Sequence, residues 1–102
     1  MRLRKACAPI VTLSFVAVFV VTLEGVEAAG APALTVLAFV SAAADAQAEA
    51  AAVRELEGLG WRDVSALRSG EITDEAALPD DFRAALETAR RYGCGLIIYD
   101  EP

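Results

Sequence analysis

The chain has 102 residues, 56% of them hydrophobic and 24% charged, with a mean hydropathy of +0.43. That composition excludes an intrinsically disordered chain, and the length excludes a multi-domain enzyme. Histidine is absent, which removes imidazole bases, Cys–His and Ser–His dyads and histidine metal ligation.

The net charge of −6 is unevenly distributed. Residues 1–30 carry Arg2, Arg4 and Lys5 against Glu24 and Glu27, whereas residues 31–102 carry six basic against thirteen acidic side chains. A body this acidic repels phosphate backbones, so nucleic acid is not an expected partner, while a basic protein is permitted. The two cysteines, Cys7 and Cys94, form no CxxC pair. A disulfide between them requires the N-terminus to fold back beside residue 94 in an oxidising compartment; two free thiols are the simpler expectation.

In chain order, the first question is the apolar run after the basic opening Met1-Arg2-Leu3-Arg4-Lys5. A basic start, an apolar stretch and small residues near Ala28 match an export signal. Ile10 to Thr22, however, has eight β-branched residues of thirteen, which is strand chemistry, and Pro9 and Glu24 bound the run below the length of a membrane helix. The balance favours a first strand over residues 10–24, with 1–9 a frayed lead-in. An export segment removed near residue 28 is the alternative. Such a strand would hold about 15 residues over roughly 50 Å, long enough to overhang its sheet.

Residues 24–32 read as a loop, and Leu34 to Val40 as a second strand forming a hairpin with the first. Ser41 is a plausible N-cap for a helix from Ala42 to Leu59, with an apolar stripe at Ala46, Ala50, Val53 and Leu56 and glycines 58 and 60 to stop it. Trp61 to Arg68 is a third, polar strand suited to an edge, followed by a turn from Ser69 to Glu75. Thr73 can cap a short turn reaching Leu78, and Pro79 opens the second helix. Asp80 and Asp81 complement the positive end of that helix, and Arg90 and Arg91 its negative end. Phe82, Ala85, Leu86, Ala89 and Tyr92 form its apolar face, with Arg83–Glu87 and Glu87–Arg91 as solvent-side pairs. Gly93 ends the helix, and Gly95 to Asp100 returns as a fourth strand.

The order ββαβαβ describes an α+β (α/β two-layer sandwich) domain spanning residues 1–102: a four-stranded mixed sheet with two helices, ferredoxin-like or related. Such a shape is shared by many small bacterial α/β modules and does not itself specify function. Three of the strands are apolar on both faces. If both helices cover one face, the other needs a partner, most simply a second copy; helices on opposite faces would let a monomer suffice. Val16, Val18 and Val20, on the second face of the first strand, and Trp61, a large aromatic at a helix–strand corner, are the candidate partner-binding residues. A core-closing role for Trp61 is the simpler alternative.

No residue set suggests a cofactor, a metal or a catalytic centre. Cys94 sits just past a helix C-terminus, where thiolates are disfavoured. The acids Glu71, Asp74, Glu75, Asp80 and Asp81 lack calcium-loop spacing. Asp100 and Glu101 have no placeable opposing acid, the Ser69 hydroxyl has no base, and no glycine-rich phosphate loop occurs. The sequence therefore points to a cytoplasmic, non-catalytic protein that acts by protein–protein association as a homodimer, with no nucleic acid or membrane partner. The alternatives are a secreted or periplasmic mature domain, an acidic inhibitor or immunity-type protein for a basic partner, and a minor thiol or acid-based enzyme.

Overall fold

The computed structural model describes residues 2–7, as backbone, and residues 17–99. The elements are β1 (Arg2–Cys7), β2 (Ala17–Val26), β3 (Ala33–Ala42), α1 (Asp45–Gly58), β4 (Arg62–Glu71), a 3-10 turn (Glu75–Ala77), α2 (Asp80–Tyr92) and β5 (Gly93–Tyr99). The fold is α+β. The sheet runs β1-β5-β3-β2-β4, and every neighbouring pair is antiparallel.

Three expectations are corrected by this arrangement. The sheet is antiparallel throughout rather than mixed. Residues 2–7 are not a frayed lead-in: β1 pairs with β5 and adds a strand at one edge of the expected four. The helices do not share a face, so the two-layer, ferredoxin-like arrangement does not form. Alternation along the strands makes the division plain. Val21, Leu23, Val36, Ala38, Leu96 and Ile98 pack on one side with Ala48, Ala52 and Leu56 of α1. Val18, Phe39 and Ile97 pack on the other with Ala85, Leu86 and Ala89 of α2. The two greasy faces are covered within one chain.

β2 and β3 form the expected hairpin, in continuous register from Ala17↔Ala42 to Val26↔Ala33. Positions 10–16 of the expected first strand lie outside the described residues. β4 lies on the other side of β2 and, as expected of its polarity, is an edge strand. Its register with β2 shifts twice. Leu67 is the extra residue at one bulge. The other includes Asp63, which adopts φ 53°, a left-handed conformation that aspartate tolerates better than most residues. The predicted turn at Ser69 and Gly70 is instead the end of β4. Its pairing continues one residue further, through the Ile72 N–H to the Val18 carbonyl at 2.9 Å.

The first helix starts later than its alanines suggest, because Ser41 and Ala42 belong to β3. Ala44 is its N-cap and makes no side-chain cap; Gln47 Oε1 instead accepts from the Ala43 N–H at 3.2 Å. The buried stripe is Ala48, Ala52 and Leu56 at i, i+4, i+8, so of the expected positions only Leu56 is fully buried, while Ala46 and Ala50 face solvent. A run of alanines is apolar at every position, so composition could not set the phase. In α2 the expected face holds: Ala85, Leu86 and Ala89 are buried, and Phe82 and Tyr92 are half-buried. Phe82 meets Phe39 edge-on at 5.5 Å between ring centroids. The charged pairs form at i,i+3, Arg83–Asp80 at 2.6 Å and Arg90–Glu87 at 3.2 Å, rather than at the expected i,i+4. Gly93, with φ 96°, ends the helix in the left-handed region that glycine adopts at no steric cost.

Candidate functional site

The connector from β4 to α2 is fastened at one end by the Ile72–Val18 hydrogen bond and turns sharply where the Leu78 N–H donates to the Glu75 carbonyl at 3.1 Å. Between it, the start of β2 and α2 lies a crevice of about 280 Å³, lined by Ala17, Val18, Ser41, Ile72, Glu75, Leu86 and Arg90. Four of these seven side chains are apolar. Arg90 is offered by the last turn of α2, and Glu75 by the 3-10 turn facing it.

Arg90 donates through Nη2 to Glu75 Oε2 and through Nη1 to Glu87 Oε1 at 3.2 Å. Both Glu75 and Arg90 remain close to half exposed (47% and 45%). The guanidinium hydrogen bond holds the Glu75 carboxyl below the usual carboxylate range, and the reciprocal bond raises Arg90. Glu75 is therefore ionised at neutral pH and holds no proton to give. Ser41 donates its hydroxyl to the Ala89 carbonyl at 3.0 Å, which ties β3 to α2 and leaves only the lone pairs of the oxygen free. The crevice can recognise a charged group, but these residues supply neither an activated nucleophile nor a general acid.

The sequence candidates are dispersed by the fold. Val18 is buried on the face covered by α2 and the connector, Val20 is half-buried there, and Val16 lies outside the described residues. Val18 thus packs in the core, on the second apolar face of its strand, which α2 and the connector cover. Trp61 is 4% exposed and packs in the α1-side core. A Cβ at Gly25 would stand 3.2 Å from Trp61 Cε3, so the indole closes the helix–strand corner over a glycine.

Cys94 is buried beside α1, and burial, reinforced by the charge of Glu55, pushes its thiol up to about 12. It stays protonated at neutral pH and is not a nucleophile. The backbone register sets Ala6 opposite Cys94 and Cys7 opposite Gly93, and Cys94 is a free thiol.

In the acidic group, Glu75 is held by Arg90 and Asp80 by Arg83. Among the described residues no three Asp, Glu or Cys side chains are grouped to hold a metal ion. Ser69 donates to Glu49 Oε2 at 2.6 Å, a link between β4 and α1. Asp100 and Glu101 lie outside the described residues.

Two features escaped the sequence. One is the Glu75–Arg90 contact, between residues 15 apart with no periodic relation. The other is the exposure of Leu67, at 59% the most exposed large hydrophobic among the described residues, which follows from its bulge. No described helix is long and apolar enough to cross a membrane. Compared with known proteins, the chain matches no protein-family model, no curated protein and no solved structure.

Proposed function

We propose that this chain is a small, acidic, non-catalytic association module of the cytoplasm that pairs through β4 with a second copy of itself. The observation that carries the proposal is the outer side of β4: an edge strand of ten residues with Leu67 lifted into solvent at its middle. An unpaired strand edge presents backbone donors and acceptors to another chain. Antiparallel self-pairing brings the Arg62 end of one copy beside the Glu71 end of the other, which is charge-complementary. Arg62, Arg68 and the two bulges discourage indiscriminate strand addition, as edge strands in soluble proteins commonly require. Retention of residues 17–26, rather than their loss on export, is supported by the hydrogen bonding of β2 to both β3 and β4 and by the burial of Val21 and Leu23.

Amide hydrogen exchange across residues 62–71 at increasing protein concentration tests the proposal. Protection that grows with concentration is expected, because pairing sequesters the outward amides. Exchange that is independent of concentration would contradict it.

A basic protein is the second partner reading. It is favoured by the acidity of residues 31–102 and by Asp74 and Asp81, which are exposed beside the start of α2.

A further inference from the structure

We propose that the crevice beneath the connector is a binding site for a small monocarboxylate with a short aliphatic tail, whose carboxylate takes the place of Glu75 on Arg90. The fold already holds a carboxylate at that position, so the chemistry the guanidinium accepts is displayed by the chain itself. A guanidinium presents a planar fork of donors matched to a carboxylate, and a displaced Glu75 carries its own charge outward into water, where it is screened. A dianion such as phosphate would add repulsion from Glu87, which stays on the other side of Arg90.

A short aliphatic tail is compatible with the apolar part of the lining. Val18, Ile72 and Leu86 share the lining of the crevice with the ion pair, and about 280 Å³ lies just below the usual range for drug-sized ligands, which suits a shorter molecule. Displacing Glu75 does not disturb the core, because its side chain is already half exposed and can swing into water.

The tethered Glu75 competes with any free acid as an intramolecular ligand, so the native chain binds weakly and removal of that competitor strengthens binding. The probe is hexanoate, titrated into the full chain and followed by backbone amide shifts, with hexanol as the uncharged control. Saturable shifts at Val18, Ile72 and Leu86 are expected with hexanoate and not with hexanol. Glu75→Gln should tighten binding by up to about fivefold, the limit set by the small worth of exposed ion pairs. Arg90→Met should abolish binding while the amide spectrum stays that of the folded chain. Equal binding of hexanol, loss of affinity in Glu75→Gln, or no saturable shift in either protein would overturn the proposal. None of these outcomes depends on whether β4 self-pairs.

Discussion

Gly95 sets how closely α2 approaches the sheet. It stands opposite Phe39 on β3, and a Cβ there would fall 2.4 Å from the Ala85 carbonyl oxygen and 3.1 Å from Thr88 Cβ. Backbone cannot yield as a flexible side chain can, so Gly95→Ala must push α2 outward and loosen its contacts with Ile97 and Phe39. A loss of about 1–3 kcal/mol is expected in urea denaturation, and an unchanged midpoint would show that the helix is not seated there. Cys94 gives a pH signature. Burial pushes the folded thiol up to about 12, above its ordinary value of 9.0, so folding holds the thiol proton more tightly than the unfolded chain does. Its contribution is complete below pH 9 and is lost as pH rises toward 12, by up to about 4 kcal/mol. Cys94→Ala should flatten that alkaline decline, as followed by thermal melts across this range. Glu75 acts in the opposite direction: its depressed pKa makes its contribution present at neutral pH and lost under acid, below the ordinary carboxylate range.

At the scale of elements, what the sequence disclosed depended on whether apolar and polar residues alternated with a period. α2 was legible because Phe82, Ala85, Leu86 and Ala89 stand against flanking charges and Gly93 marks its end. α1 was legible as a helix but not in its phase, since alanine reads the same on every side and only packing against the sheet selects Ala48, Ala52 and Leu56. Ser41 resembles a cap in sequence, but its hydroxyl serves the α2 carbonyl of Ala89, a partner 48 residues away. Trp61 shows the same limit: its identity announces a large contact, while its direction is decided by the space over Gly25. Trp61→Ala should cost about 3–5 kcal/mol of folding stability, as expected when a buried aromatic leaves a cavity. A chemical denaturation series decides the point, and a cost near zero would place the indole at the surface.

Across the whole molecule, the apolar excess of the strands is absorbed internally. Two-sided greasy strands correctly required cover on both faces, but a four-strand, two-helix inventory does not state which face each helix takes. The antiparallel order β1-β5-β3-β2-β4 lets the α1 crossover return on one side and the connector and α2 on the other. An uncovered sheet face therefore no longer motivates self-association. What remains is an edge: β4, with Leu67 outward and opposite charges at its two ends. The crevice was invisible in the sequence for a related reason, since its walls come from four separated segments that only the fold brings together.

Sedimentation equilibrium on the intact chain and on Leu67→Lys tests self-pairing most directly. The account predicts that the native chain moves from the monomer mass of 10.7 kDa toward twice that value at tens of micromolar, while Leu67→Lys stays monomeric with an unchanged melting temperature. A native chain that remains monomeric throughout, or a Leu67→Lys variant that dimerises equally well, would contradict pairing through β4.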